Sequence, residues 1–309
     1  MTTLTERIAG APITWGVCEV PDWGYQMIPE RVLGEMSEIG LTATELGPDG
    51  FLPQDPSQLH ALLDGYNLEM VAGFVPAVLY RAELLADELA YVQRAASTLA
   101  AVGATVMVLG PAAAVDGADG YEERFDMDDE DWVRFAAGLD RVIEIGARHE
   151  LEIAVHPHWG MVIERTHQIE RLLEASSVGI CVDTGHLGLA GADPVKITEL
   201  AGDRVRHVHL KDIDEDVAAR VRTGELSYHD GTAMGLYRPL GEGDLDIAGV
   251  VEHLEDIGFR GWYVLEQDMV LPSEPAEGSG PLEAARASYA FLERLAGAID
   301  PEGGSSATS

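Results

Sequence analysis

The sequence is poor in cysteine and in long apolar runs, and each shortage excludes a class of protein. Its 309 residues include two cysteines, Cys18 and Cys181, which lie far apart and form no CxxC pair. We therefore expect neither a disulfide framework nor a thiolate zinc site. No stretch approaches the roughly 18 to 20 apolar residues that cross a bilayer, and the N-terminus MTTLTERIAG does not resemble a signal peptide. These features predict a cytoplasmic protein that does not enter a membrane.

Positive charge is also scarce. Fifty-four acidic residues face twenty basic ones, which gives a formal net charge of −34. This field repels phosphate backbones and anionic lipids, so we expect neither nucleic acid nor a membrane as a partner. It would also concentrate divalent cations, although an acidic surface that keeps the protein soluble is the simpler explanation of the charge. Assembly into a homo-oligomer is compatible with this composition.

Short apolar runs alternate with longer segments of helical period, which is typical of repeated βα units. We predict strands at residues 10–16, 43–47, 69–75, 104–110, 151–157, 178–183, 205–211 and 262–266. We predict helices near residues 28–40, 56–66, 82–102, 129–149, 167–175, 194–201, 245–258 and 281–297. The pattern indicates an α/β fold with one closed (β/α)₈ barrel domain over residues 1–297, because barrels of about 250 residues form single domains. The Gly/Ser-rich tail, 298–309, is predicted to be disordered.

Local signals mark two helix starts and two long connections. Asp55 and Asp193 each precede a proline, which predicts a capping carboxylate followed by the first helical residue. The connections 110–128 and 212–244 are longer than a barrel requires, and both follow predicted strands. Because long βα loops surround the carboxyl ends of barrel strands, we expect these two to cover an active site.

Ionisable residues fall at the ends of the last four predicted strands: His156, Asp183, His209 and Glu266. In a (β/α)₈ barrel these strand ends converge on one pocket. A buried carboxylate such as Asp183 is costly unless it is paired or bound to a cation, so it is interpreted as a metal ligand or as a helix cap. Oxygen and imidazole ligands without thiolate suit Mn²⁺, our first choice, as well as Co²⁺, Fe²⁺, Mg²⁺ and Zn²⁺.

The same residues also have structural interpretations. Strand alternation puts His207 and His209 on one face, where a lone histidine is more often a hydrogen-bonded core residue than a ligand. Glu266 could form an ion pair with Lys211. His158, in HPHWG, could bind metal, donate to substrate or transfer a proton, or it could support the other ligands from behind.

Four further residues are candidates for the pocket, and three common sequence motifs are missing. Glu164 could lie over the pocket. Trp15, Phe74 and Trp159 could form an apolar wall for a polyol ring, or they could pack in the core. The patterns GxSxG, P-loop and strand-anchored GxGxxG are missing from the sequence, which argues against nucleophilic hydrolysis and hydride transfer.

Seven motifs occur in the order found in the inosose dehydratases: APITWG, TELG, HPHWG, DTGH, HVHLKD, GEGDLD and VLEQD. Over residues 1–295 the chain resembles that family, which belongs to the xylose-isomerase-like superfamily of metal-dependent barrels. The resemblance implies that Asp183, His209 and Glu266 bind the metal. It places His156, as in the dehydratases, where a ketose epimerase has a glutamate. The segment 15–24 departs from the dehydratase pattern at a place where the protein could recognise its substrate.

The resemblance implies a metal-dependent lyase that dehydrates a keto-polyol, such as 2-keto-myo-inositol, through an enediolate. Glu266, His156 and His158 would share the roles of base and acid, and His186 and Lys211 would orient substrate oxygens. Alternatives are a sugar isomerase or epimerase, a lyase that cleaves C-glycosides of keto sugars with a partner subunit, and a non-catalytic polyol-binding protein. Few lysines and arginines occur in the motifs, which disfavours a phosphorylated substrate.

Overall fold

The computed structural model describes residues 2–113, 121–122 and 124–299. Within these ranges eight parallel strands close into a barrel, which confirms the predicted fold. The barrel strands are β1 (Ile8–Gly10), β2 (Ala43–Glu45), β3 (Glu69–Ala77), β4 (Val106–Pro111), β5 (Glu152–Val155), β6 (Gly179–Asp183), β7 (Val205–Leu210) and β10 (Tyr263–Leu265). A two-stranded antiparallel sheet of β8 (Asp212–Ile213) and β9 (Tyr237–Arg238) lies in the connection between β7 and β10.

The helices follow the predicted positions, with three additions. They are α1 (Pro29–Glu38), α2 (Pro56–Tyr66), α3 (Leu85–Ala101), α4 (Asp129–Arg148), α5 (Thr166–Ala175), α6 (Thr184–Leu189), α7 (Pro194–Ala201), α8 (Glu215–Arg222), α9 (Tyr228–Ala233), α10 (Ile247–Asp256) and α11 (Pro281–Ile299). The unpredicted α6, α8 and α9 are short and lie within βα connections. None of the helices in the described ranges has the length and apolar composition that crossing a bilayer requires.

Two details of the chain ends differ from the prediction. The first strand is not residues 10–16 but Ile8–Gly10, and Pro12–Trp15 forms a 3₁₀ turn. Pro12 has no N–H to donate to a strand ladder, which explains the early end. At the other terminus α11 includes residues 298 and 299, which we had placed in the disordered tail. The rest of that tail, 300–309, lies outside the described residues.

The predicted helix caps are confirmed. The Asp55 carboxylate accepts a hydrogen bond from the backbone N–H of Gln58 at the start of α2. The Asp193 carboxylate accepts from the N–H groups of Val195 and Lys196 at the start of α7. Each carboxylate satisfies amide groups that have no partner within the helix.

The barrel interior is filled by small side chains below a polar upper end. On β6, Ile180 and Val182 belong to the core between the strands and the helices. The alternate residue Cys181 packs with small residues from other strands, among them Ala9, Ala43, Val108 and Ala154. Because side chains alternate along a strand, Asp183 faces the same way as Cys181, into the barrel. Strand alternation therefore directs this carboxylate to the carboxyl-terminal mouth of the barrel.

Arg7 joins the first and last strands of the barrel. Its guanidinium is 4% exposed and donates to the carbonyls of Phe259, at 3.2 Å, and Gly261, at 3.1 Å. It also pairs with Glu255 at 2.7 Å. These partners precede β10, which lies beside β1 in the barrel. The guanidinium thus satisfies two carbonyls and one carboxylate where the barrel closes.

The substitution Arg7→Ala should lower the free energy of unfolding by about 3 kcal/mol, because it leaves a largely buried carboxylate and two carbonyls without their partner. The control is Arg286→Ala, which removes the exposed pair with Glu38 and should cost less than about 1 kcal/mol. Urea denaturation followed by circular dichroism measures both. Equal losses in the two variants would show that Arg7 does not support closure.

Candidate metal centre and active site

The four predicted ligands come from four neighbouring strands. Asp183 ends β6, His209 lies in β7, and His156 and Glu266 directly follow β5 and β10. In the barrel these strands stand side by side in the order β5, β6, β7 and β10. One potential ligand atom from each residue lies within 4.8 Å of the others, and three of the residues are buried. The structure therefore brings the four together.

The donor atoms converge as they would on a cation. His156 Nε2 lies 3.2 Å from Asp183 Oδ2, and His209 Nδ1 lies 2.5 Å from Glu266 Oε2 and 3.6 Å from Asp183 Oδ2. Yet neither His209 Nδ1 nor Glu266 Oε2 makes a well-directed hydrogen bond within the described part of the chain. Buried polar atoms of this kind are normally satisfied, so the donor set fits a divalent metal.

The buried charge around Lys211 supports the same conclusion. Its ammonium is 2% exposed and lies 3.2 Å from Asp183, 3.5 Å from Glu266 and 2.9 Å from Asp268. Burial acts to raise the pKa of Asp183, but the charge of Lys211 holds that pKa well below its ordinary value. Three carboxylates around one ammonium leave an excess of negative charge that a divalent cation would offset. The ion pair with Lys211, which was the structural alternative for Glu266, is part of this cluster.

Two more imidazoles line this region. His158 Nδ1 lies 2.6 Å from the carbonyl oxygen of Trp159, so Nδ1–H donates and Nε2 carries the lone pair. The His186 ring centroid lies 3.6 Å from that of His158. Burial lowers the pKa of both histidines well below its ordinary value, which keeps the rings neutral at neutral pH. A neutral His158 can accept a proton.

Five hydrogen-bonding side chains form a closed ring beside the four candidate metal ligands. Lys211 Nζ donates to His186 Nε2 at 2.9 Å, and His186 Nδ1 lies 3.4 Å from Tyr237 Oη. Tyr237 Oη is 3.1 Å from Tyr228 Oη, and the Tyr228 hydroxyl donates to Asp268 at 2.5 Å. The Lys211–Asp268 pair closes the ring. Neither these tyrosines nor Asp268 are among the residues predicted from the sequence, although VLEQD carries Asp268 two residues after Glu266.

Glu45 is a further buried carboxylate that the sequence analysis missed. It ends β2, and its Oε1 accepts hydrogen bonds from His207 Nε2 at 2.7 Å and His209 Nε2 at 3.0 Å. The signal was present in TELG, where an acid ends a short strand that is buried throughout. His207 is thus a hydrogen-bonded interior residue, as one of its two interpretations anticipated.

A cavity of about 1210 Å³ opens above the cluster. Its wall includes Phe74, Glu19 and Trp23, and the last two come from the divergent segment 15–24. Tyr121 and Tyr228, from the two long connections, also line it. Both connections therefore contribute to the mouth as predicted, although residues 114–120 and 123 of the first lie outside the described ranges.

Three other residues that the sequence suggested for the pocket have structural roles instead. Trp15 is buried in the core, where its Nε1 donates to Glu35. Glu164 does not cover the pocket, because its carboxylate pairs with Arg124 at 2.5 Å and accepts from the backbone of Gly160. Trp159 packs beneath the guanidinium of Arg124, 3.8 Å from the ring centroid. Glu164 and Trp159 thus hold the HPHWG segment in place.

The motif GEGDLD also has a structural role. The Asp212 carboxylate accepts hydrogen bonds from the backbone N–H groups of Gly241, Gly243 and Leu245 at 2.9 to 3.1 Å. A Cβ on residue 243 would lie 2.3 Å from an Asp212 oxygen, which explains the glycine there. The buried Asp212 of HVHLKD thus holds the GEGDLD segment in one turn.

Comparison with known proteins places this geometry in context. Residues 33–295 match the family model described as xylose isomerase-like TIM barrel. The chain is 31% identical to the rhizopine catabolism protein MocC of Rhizobium meliloti, with 94% of this chain and 89% of that protein covered. It is 30% identical to the inosose dehydratase of Geobacillus kaustophilus (strain HTA426), with 94% of each covered. A solved structure of the IOLI protein "with a binding zinc atom" has a TM-score of 0.70 at 15% identity, with 95% of this chain and 99% of that one covered, and shows the shared fold.

The substitutions Asp183→Ala and His209→Ala should each abolish stoichiometric Mn²⁺ binding, because each removes one of four converging ligands. Elemental analysis after gel filtration measures bound metal, and circular dichroism checks the fold. The control Asp193→Ala removes an exposed cap of α7 and should keep the metal. Stoichiometric metal in both ligand variants would show that these residues do not form the centre.

Proposed function

Because the chain belongs to the xylose isomerase-like TIM barrel family and is a dehydratase-type enzyme within it, we propose that it dehydrates a keto-polyol such as 2-keto-myo-inositol. The observation that carries this proposal is the cluster of two carboxylates and two imidazoles, His156, Asp183, His209 and Glu266, at the base of a cavity. This cluster would hold a divalent metal, with Mn²⁺ the first choice for oxygen and nitrogen ligands. Such a metal would polarise the substrate ketone as a Lewis acid and acidify the adjacent C–H.

The base that takes the α proton is either Glu266 or His158, two of the three residues to which the resemblance gives the roles of base and acid. The contacts favour His158. Its Nδ1–H donates to the Trp159 carbonyl, which leaves Nε2 as the acceptor atom. The imidazole of His158 lines the cavity. Glu266 Oε2 lies 2.5 Å from His209 Nδ1 and 3.5 Å from Lys211 Nζ, so this oxygen already faces two other groups of the site. We therefore assign proton abstraction to His158 and ligation to Glu266.

The leaving hydroxyl needs a proton in the step that follows. The electron pair that the enediolate holds then forms the new double bond to the β carbon as the C–O bond there breaks, and the departing hydroxide leaves as water once it is protonated. The ring of Lys211, His186, Tyr237, Tyr228 and Asp268 is the source of that proton in our proposal. Lys211, Tyr228 and Asp268 line the cavity, where they would contact the substrate hydroxyls.

The cavity also supports an uncharged substrate. Among the described residues of its wall, the lysine and arginine side chains are Lys211 and Arg94. Lys211 is already paired with carboxylates, so little positive charge is free for a phosphate group. We propose a neutral polyol rather than a sugar phosphate.

The epimerase alternative requires a base on each face of the substrate, and His156 stands where a ketose epimerase has a carboxylate. Dehydration of 2-keto-myo-inositol should therefore exceed C3 epimerisation of free ketoses by a wide margin. Protein and Mn²⁺ are incubated with each substrate. Enone formation is followed by ultraviolet absorbance, and fructose and tagatose are analysed by chromatography. Comparable turnover on a ketose would reverse the assignment, and absence of enone would reject this substrate.

Deuterium exchange distinguishes the two bases. His158→Gln should abolish exchange of the substrate α proton with D₂O while metal stays bound, because exchange isolates proton abstraction from loss of hydroxide. Glu266→Gln should keep measurable exchange if it retains metal. The matched control is His167→Gln, on the exposed side of α5, which should exchange at the unmodified rate. Exchange that persists in His158→Gln and disappears in metal-loaded Glu266→Gln would make Glu266 the base.

A further inference from the structure

Glu45 reaches its partners across the interior of the barrel. It ends β2, which is separated from β7 by β1 and β10 in the closed sheet. Its side chain is 4% exposed, yet its Oε1 lies within hydrogen-bond distance of two imidazoles on β7, those of His207 and His209. One oxygen of this buried carboxylate therefore accepts hydrogen bonds from two imidazoles inside the barrel.

His209 has a different neighbour at each ring nitrogen. Its Nε2 faces Glu45, whereas its Nδ1 faces Asp183 and Glu266. The same Glu45 oxygen lies at hydrogen-bond distance from two ring nitrogens and acts as the acceptor for both, so the proton of this contact lies on Nε2. In the neutral ring the lone pair then lies on Nδ1, which is the atom that faces the other ligands.

We propose that Glu45, anchored by His207, is a positioning residue of the metal centre, which keeps the proton of His209 on Nε2 and presents Nδ1 to the cation. The inference rests on the metal centre of the proposed function. A carboxylate behind a ligating imidazole fixes the orientation of the ring and makes it a stronger donor. Strand alternation places His207 two residues before His209 on the same face, so that one oxygen of Glu45 contacts both rings.

The geometry argues against a second cation between these three residues. Their potential ligand atoms do lie within 4.8 Å of one another. However, His207 Nε2 and His209 Nε2 lie 2.7 and 3.0 Å from the same oxygen, which are hydrogen-bond distances. Both nitrogens therefore act as donors there and carry no lone pair for a metal.

The test is Glu45→Gln, which keeps the shape of the side chain and one acceptor oxygen but removes the negative charge. Mn²⁺ affinity, measured by calorimetric titration of metal-free protein, should fall by about 10- to 100-fold. The visible absorption spectrum of the Co²⁺-loaded variant should also change, because the imidazole ligand is altered. The matched control is Glu35→Gln, another buried glutamate, which contacts Trp15 and Arg31 and should leave metal affinity unchanged.

Each outcome separates this inference from the metal centre itself. Unchanged Mn²⁺ affinity and Co²⁺ spectrum in folded Glu45→Gln would overturn the positioning role while the centre stands. Two bound equivalents in the unmodified protein, one of them lost in the variant, would make Glu45 a ligand instead. An unmodified protein that binds no divalent metal would reject the centre and the inference together.

Should Glu45→Gln fail to fold, His207→Gln is the second variant, because it loosens the carboxylate without touching a ligand. Metal binding should then weaken by a smaller factor than in Glu45→Gln. Unchanged binding in His207→Gln would contradict the inference.

Discussion

The residues at one end of the barrel must stabilise the negative charge of carboxylates that are buried there. Asp183 and Glu45 are held ionised in an interior that disfavours charge, so each requires positive charge or hydrogen-bond donors at close range. Lys211 supplies positive charge beside Asp183. His207 and His209 donate hydrogen bonds to Glu45. The close approach of Lys211 also constrains the backbone. A Cβ on residue 185 would lie 2.5 Å from the Cβ of Lys211, which explains the glycine of DTGH.

Much of the barrel and of the ligand set could be predicted because the information is local. An apolar run that ends in an acid or a histidine marks both a strand and the end of that strand, and barrel topology then gathers such ends. Asp183 and His209 were found in this way, and the structure pairs them in register. The first strand was misplaced because APITW reads as apolar, whereas Pro12 cannot continue a ladder.

Contacts that depend on the path of a connection were not predictable. Tyr228 and Tyr237 reach the site through the short α9 and β9, within a segment whose composition predicts only a loop. Glu45 stands at a detectable strand end, but its partners lie 162 and 164 residues away, and no spacing rule links them. Asp268 could be assigned only from its contact with Lys211, since an acid three residues after a strand is common on protein surfaces.

The contact between Glu45 and His209 also bears on how the proposed metal centre would assemble. Its four candidate ligands all follow residue 150, whereas Glu45, which contacts His209, lies near the start of the chain. Contacts of such long sequence separation form late, after the loop-closure entropy of the intervening chain has been overcome. A chain whose first two βα units have not yet docked would hold the ligands without the support of Glu45. In our proposal, tight retention of the cation is thus a property of the fully assembled barrel, and capture of the metal belongs to the last stage of folding.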